Sequence, residues 1–231
     1  MNRFNVFIKN KNRLLLKAGY LNVFWKSDIE ISEIIISDIS DTSGFDLSYF
    51  EEFINIILVY DNVEFDNIYT KVELKNFNRN NREILLISDF NPDSLNYSQI
   101  LIDTLSKEDV NIDWFFLNLT EKIALIRSFL IKNGLPETIN TNCNISIDCE
   151  SLADYIDIYY FLSQALLGPH KYLGTGLDSF EDCLIGLKLK LKNSSIVINF
   201  VNKRKLNEPD VENELNEVIT ILRQYFITVV I

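Results

Sequence analysis

The stretch that decides the fold of the second half of the chain runs from residue 168 to residue 186 and reads GPHKYLGTGLDSFEDCLIG. Three of its first nine residues are glycine, which is typical of a loop. The following residues have helical spacing. Four apolar residues share one face of a helix predicted over residues 177–187: Leu177, Phe180, Leu184 and Leu187. The stretch therefore predicts a loop that leads into a helix with one buried face.

A second face of this predicted helix is acidic. Asp178 and Asp182 are one turn apart, Glu181 lies beside them, and Ile185 falls among these carboxylates. Such a surface suits the binding of another protein. Acidic residues also favour the first turn of any helix, because the helix dipole is positive there. The pattern alone is therefore more typical of an ordinary solvated helix surface.

The same stretch resembles the barstar family, in which a Tyr-x-Gly loop leads into a Leu-Asp-x-x-x-Asp-Cys-Leu helix. The matching residues are Tyr172, Gly174, Leu177-Asp178, Asp182-Cys183-Leu184 and Gly186. The resemblance extends back to Ile147-Asp148 and forward to the final residues, Ile227 to Ile231. It thus covers nearly all of the last 90 or so residues of the chain.

The resemblance implies an α/β domain with a three-stranded parallel sheet and helices packed around it. Family members inhibit guanyl-type microbial ribonucleases by inserting this helix and its preceding loop into the active site. By resemblance, Asp178 and Asp182 are the matching acids, with Asp182 nearest the phosphate-binding centre, and Tyr172 is the loop aromatic. The candidate partner-binding residues are therefore Tyr172, Gly174, Gly176, Asp178, Glu181, Asp182 and Ile185. The implied partner is a basic ribonuclease, and no catalytic residue, metal or cofactor is expected.

The chain departs from the family pattern at several positions. Glu181 stands where the family has an aromatic residue, Leu187 stands at a later aromatic position, and Gly176 replaces a loop asparagine. An additional acid of the third helix is not matched, since Arg223 or Gln224 falls near its place. These departures leave the identity of the partner open.

Composition and charge agree with a protein-binding role. The chain has 22 basic and 33 acidic residues, a net charge of −11. A nucleic-acid binder normally carries a basic surface, which this chain lacks, whereas an acidic protein is steered towards a basic partner. Acidity alone would equally keep a cytosolic protein soluble. The presence of a single histidine, His170, argues against a histidine-assisted catalytic pair.

Other features predict a cytoplasmic protein. The three cysteines have no metal-binding spacing and cannot all pair with one another, which suits a reducing compartment. We see no signal peptide near the N-terminus, and the apolar runs are too short to span a bilayer. No membrane association is expected.

We predict two domains, residues 1–136 and 143–231. A helix with Thr120 as N-cap is predicted to end near Gly134 and Pro136 and to close the first domain. Further predictions there are four strands and a helix: Ile34–Ser37, Asn55–Tyr60, Val72–Lys75, Glu83–Ser88 and Pro92–Leu105. Strands followed by helices predict an α+β domain, which shows no family resemblance.

The second domain is predicted to follow the order strand, helix, helix, strand, helix, strand. Ser151 with Asp154 forms a weak variant of a capping box before the first of these helices, and Pro209 opens the last. The C-terminal strand, Phe226–Ile231, is almost wholly apolar, so we expect it to be central and parallel to another strand.

Three functional hypotheses follow. The first is a cytoplasmic immunity protein that neutralises a toxic ribonuclease by occluding its basic active site. The second is an adaptor outside any toxin system, whose barstar-like domain binds another basic protein. The third is an enzyme in the first domain with an inhibitor module attached. Under the first hypothesis, the N-terminal domain could widen the interface, dimerise the chain or recognise a second toxin element.

Overall fold

The computed structural model describes residues 4–10, 13–26, 31–41, 53–61, 63–78, 81–88, 99–105, 113–206 and 208–231. The chain divides into two compact units, Met1–Phe116 and Leu117–Ile231. This division differs from the predicted one, because the helix assigned to the first domain lies in the second unit.

The first unit is built on a seven-stranded antiparallel sheet. In chain order its strands are β1 (Phe4–Asn10), β2 (Arg13–Lys26), β3 (Ile31–Asp41), β4 (Phe53–Tyr60), β5 (Val63–Lys71), β6 (Glu73–Asn78) and β7 (Glu83–Ser88). Their spatial order is β5-β4-β1-β2-β3-β7-β6. All four strands predicted here are present, although β6 begins one residue after Val72 and β3 is longer than the predicted segment.

Alternation of buried residues shows which face of this sheet forms the core. In β1, Val6 and Ile8 are fully buried, and in β4 Ile54 and Ile56 are fully buried. Residues two apart in a strand point to the same face. Helix α1, residues 99–105, carries three buried apolar side chains, Leu101, Ile102 and Leu105. The remainder of the predicted helix, residues 92–98, lies outside the described residues.

The second unit contains a three-stranded parallel sheet and four helices. The strands are β8 (Asn142–Asp148), β9 (Ser195–Val201) and β10 (Thr228–Val230), and the helices are α2 (Leu119–Asn133), α3 (Tyr155–Leu167), α4 (Leu177–Leu191) and α5 (Pro209–Gln224). Strand β9 pairs in parallel with both β8 and β10. The predicted fold class, an α/β domain with a parallel three-stranded sheet beside an α+β part, is confirmed.

The position of the last strand was predicted wrongly. Strand β10 lies at the edge of the sheet, in the order β10-β9-β8, and β9 is central. The apolar residue that precedes the strand, Ile227, is buried, but Val230 and Ile231 are exposed. An apolar segment indicates that a strand packs against the core. It does not indicate whether the strand pairs with one neighbouring strand or with two.

Two helix starts also differ from the predictions. Helix α2 is capped by Asn118 rather than Thr120: the Asn118 side chain accepts from the Glu121 backbone N–H at 3.0 Å, and Glu121 accepts in return from the Asn118 N–H at 2.9 Å. Helix α3 begins at Tyr155 with Asp154 as its N-cap, whereas Ser151 belongs to a short 3₁₀ turn, Cys149–Ser151.

Helix α2 is joined to α3 by a buried ion pair network. The Lys122 Nζ lies 2.8 Å from Asp154 Oδ2 and 2.9 Å from Asp157 Oδ1. The side chains of Lys122 and Asp157 are only 5% and 2% exposed, so this network belongs to the core. The same Asp157 accepts from the backbone N–H groups of Ala153 and Asp154 at 2.8 and 2.9 Å. Helix α2 is therefore an integral part of the second unit.

Candidate functional site

Helix α4 presents two sharply different faces. Its buried side chains are Phe180, Cys183, Leu184, Leu187 and Leu191. Of the four residues predicted on the core face, Phe180, Leu184 and Leu187 are buried, whereas Leu177 is only half-buried. On the opposite side, Asp178, Asp182 and Ile185 are exposed. Because the buried side anchors the helix in the core, the exposed residues are held on a fixed surface.

The loop before α4 passes directly over the start of the helix at Gly174. This residue has a φ of +105°, and a Cβ added there would lie 2.6 Å from the backbone nitrogen of Phe180. Any other residue would therefore be strained both by its conformation and by the contact. Gly174 shapes the loop, and it is itself buried.

The position of Gly176, in contrast, has room for a side chain. It is the N-cap of α4 in extended backbone conformation, and an added Cβ would meet no atom within 4 Å. The turn around it is closed by Ser179, whose Oγ donates to the Gly176 carbonyl at 3.0 Å and accepts from the Thr175 N–H at 2.9 Å. Hydrogen bonds from and to Ser179 thus fix the backbone at the start of α4, and no side chain covers this backbone at Gly176.

The first part of the loop, at His170 and Lys171, is bound by side chains of two helices. The Asn133 Nδ2 at the end of α2 donates to the His170 carbonyl at 2.8 Å, and the His170 ring packs against Phe129 with centroids 5.3 Å apart. From α3, the Ser163 Oγ donates to the Lys171 carbonyl at 2.5 Å. The loop and α4 together form one preorganised surface.

The part of the chain that contains this loop and helix matches a known protein family. Residues 143–226 match the family Barstar (barnase inhibitor). Members of this family are inhibitors and not enzymes. The match begins in β8 and includes the loop and helix just described, so all seven candidate partner-binding residues fall within it. Comparison of the chain with curated proteins and with solved structures gives no match.

Helix α2 and the whole first unit lie outside the region that matches the barstar family. The match begins at residue 143, whereas the second unit begins at Leu117. The barstar-like domain of this chain therefore carries an additional N-terminal helix, bound to it through the Lys122 network.

The structure buries the loop aromatic that the resemblance implied. Tyr172 is 7% exposed. Its neighbour Leu173 is fully buried, so this part of the loop packs into the domain. In this conformation of the loop, Tyr172 has little exposed surface that a partner could contact. The exposed part of the candidate site is formed by α4 itself, at Asp178, Asp182 and Ile185.

Glu181 is held by a residue that the sequence analysis did not identify. The Tyr225 hydroxyl, just after the end of α5, donates to Glu181 Oε1 at 3.2 Å. Burial, this hydrogen bond and the negative charges of Glu181 and Asp182 raise the pKa of Tyr225. Arg223 and Gln224, which fall near the place of the family's additional acid, are both exposed on the last turn of α5. Tyr225 is instead the residue that connects this helix to the acidic face.

Cys183 lies beneath the acidic face as a core residue. It is buried, and burial together with the negative charge of Asp182 raises the pKa of its thiol to about 11. Since the thiolate is the reactive form, this cysteine is protonated and unreactive at neutral pH.

The described part of the chain shows neither of two other kinds of site. Within it, no group of three histidine, cysteine, aspartate or glutamate side chains is arranged to hold a metal ion. Among the same residues, no helix has the length and apolar character that a membrane crossing requires.

Proposed function

We propose that the barstar-like domain inhibits a ribonuclease by placing α4 in its basic active site. The observation that carries this proposal is the family match combined with two exposed carboxylates, Asp178 and Asp182, on the free face of a helix anchored in the core. A ribonuclease site must be cationic because it holds RNA phosphate. Carboxylates fixed one turn apart occupy the same cationic subsites.

The electrostatics of α4 favour this use of the two acids. Among the described residues, neither Asp178 nor Asp182 forms an ion pair within the chain. Two like charges at this spacing oppose the helix by only a few tenths of a kcal/mol, and the helix dipole offsets this for Asp178 in the first turn. A basic partner would relieve the repulsion. The net charge of −11 adds a long-range attraction towards such a partner.

The biological role that we infer is immunity. The chain neutralises a toxic ribonuclease in the cytoplasm of the cell that makes it, and it has no catalytic activity of its own. The buried position of Tyr172 and the replacement of an aromatic residue by Glu181 support a cognate ribonuclease whose site differs in shape from that of barnase.

The direct test is an RNA-cleavage assay. Barnase and the ribonucleases of the organism that makes the chain are each assayed with and without the purified full chain. We expect stoichiometric inhibition of at least one of them, with an association rate that falls as salt is added, because charged interfaces associate by electrostatic steering. If the chain inhibits none of these enzymes but binds a basic protein without nuclease activity, the adaptor hypothesis replaces the inhibitor hypothesis.

A further inference from the structure

The exposed face of α4 continues beyond its acidic residues as an apolar surface. Ile185 is 55% exposed and Leu189, one turn later, is 83% exposed. The sequence spacing from Asp178 through Asp182 and Ile185 to Leu189 is four, three and four residues. Such spacing places all four side chains on one side of a helix.

Basic residues follow at the end of the helix. Lys188 and Lys192 are exposed, and the Nζ of Lys190 donates to the carbonyl of Glu137. The surface of α4 therefore changes from negative, through apolar, to positive between Asp178 and Lys192. These residues are 14 positions apart, which corresponds to about 21 Å along the helix axis.

A single exposed leucine requires no explanation, since much of any protein surface is apolar. Leu189 differs from such a residue because it extends a contiguous face. Ile185 lies one turn after Asp182, which is the acid most directly concerned in the proposed inhibition. An interface that buries charged side chains excludes water best when apolar contacts surround them.

We propose that the ribonuclease bound by this chain has an apolar patch bordering its basic site, covered by Ile185 and Leu189, with acidic residues beyond it that face Lys188 and Lys192. This inference rests on the proposed function, and it names the partner by its surface. The order of charges along α4 fixes the orientation of the partner, because the reverse orientation places like charges together. The apolar contacts slow dissociation, whereas the acids speed association.

The test uses the full chain and whichever enzyme, among barnase and the organism's own ribonucleases, the unaltered chain inhibits. Ile185→Gln and Leu189→Gln remove the apolar surface while keeping good helix formers at exposed positions. We expect each to raise the inhibition constant about tenfold, through faster dissociation and with the salt dependence of association unchanged. The matched control is Leu119→Gln, an exposed leucine on α2 outside the family match, which should leave the inhibition constant unchanged.

The outcomes separate this inference from the function on which it rests. If Ile185→Gln and Leu189→Gln inhibit like the unaltered chain while Asp182→Asn does not, the apolar patch is wrong and the inhibitor function stands. If the unaltered chain inhibits none of the ribonucleases, both proposals fail. Sedimentation of the free chain adds a third outcome. A dimer that Leu189→Gln dissociates, with inhibition unchanged, would show that a second copy covers this surface and would overturn the inference.

Discussion

Replacing Lys122 by methionine removes the charge that joins α2 to the barstar-like domain and keeps much of the apolar stem. The ammonium group lies within 2.9 Å of two carboxylates, and its side chain is 5% exposed. Removing one partner of a buried ion pair costs about 3–5 kcal/mol, because the remaining charge stays buried without compensation. Asp154 is 35% exposed and can regain water, and Asp157 keeps two backbone N–H donors. We therefore expect the lower end of the range, about 3 kcal/mol.

Hydrogen exchange in α3 measures this cost in the second unit alone. Both tryptophans, Trp25 and Trp114, belong to the first unit, so amide exchange in α3 is the more specific probe of the second. A loss of about 3 kcal/mol should speed the exchange of protected amides in residues 155–167 by about 150-fold. The control is Lys188→Met, an exposed lysine on α4, which should change exchange less than about twofold.

The same network predicts a loss of stability at high pH. Burial lowers the pKa of Lys122, but hydrogen bonds and charge interactions with Asp154 and Asp157 outweigh it, so the folded-state pKa is raised above 10.5. A raised lysine pKa stabilises the fold fully below the unfolded value, and this contribution declines as pH rises through the folded value. The free energy of unfolding of the Lys122→Met variant, measured by urea titration, should lack this high-pH component.

One result would refute the reasoning about Lys122. If Lys122→Met changes exchange in α3 by less than about fivefold, the ion pair contributes little and α2 is held by its other contacts. The double variant Lys122→Met/Asp157→Asn checks the cause. It should be less destabilised than the sum of the two single variants, since neutralising Asp157 removes the buried charge that Lys122→Met leaves behind.

Three further predictions concern the acidic face and its loop. Tyr225→Phe removes the hydroxyl that donates to Glu181, so we expect the free energy of unfolding to fall by about 1 kcal/mol. The inhibition constant for the ribonuclease should rise, and both quantities can be measured on the same preparation. Gly174→Ala should destabilise the domain by roughly 1–3 kcal/mol in urea titrations, whereas Gly176→Ala should cost less; equal losses would contradict the close loop crossing. Iodoacetamide at pH 8 should leave Cys183 unmodified in the folded chain and label it in urea.

Helices with a clear apolar spacing were predictable from the sequence. In α5 the buried residues are Val211, Leu215, Val218, Ile219 and Leu222, at the intervals of an amphipathic helix, and Pro209 marks its start. The end of α4 was harder to predict from the sequence. It continues to Leu191, past the predicted end at residue 187, because Leu191 buries one further turn on the same face.

Local spacing was ambiguous at the start of α3. Ser151 and Asp154 have the spacing of a cap and its partner, and so do Asp154 and Asp157. The second pair forms the cap, because the Asp148 side chain accepts from the Glu150 N–H at 3.1 Å and closes a separate turn before Leu152. The choice depends on a neighbouring turn and not on the cap residues themselves.

Contacts between distant residues could not be predicted from the sequence. Lys122 and Asp154 are 32 positions apart, and their ion pair joins α2 to α3 within the second unit. Tyr225 and Glu181 are 44 positions apart. The burial of Tyr172 likewise depends on the packing of the loop into the domain. Each is a tertiary interaction that no local periodicity encodes.

The central claim is that carboxylates on α4 occupy the cationic site of a ribonuclease. The most direct test measures the inhibition constant of Asp182→Asn beside that of Glu212→Gln, an identical change of charge about 20 Å along α5 from Tyr225. Truncating one member of a buried charge pair costs about 2–5 kcal/mol, so we predict that Asp182→Asn raises the inhibition constant at least about 30-fold. Glu212→Gln should change it less than about threefold. Equal constants for the two variants would contradict the account.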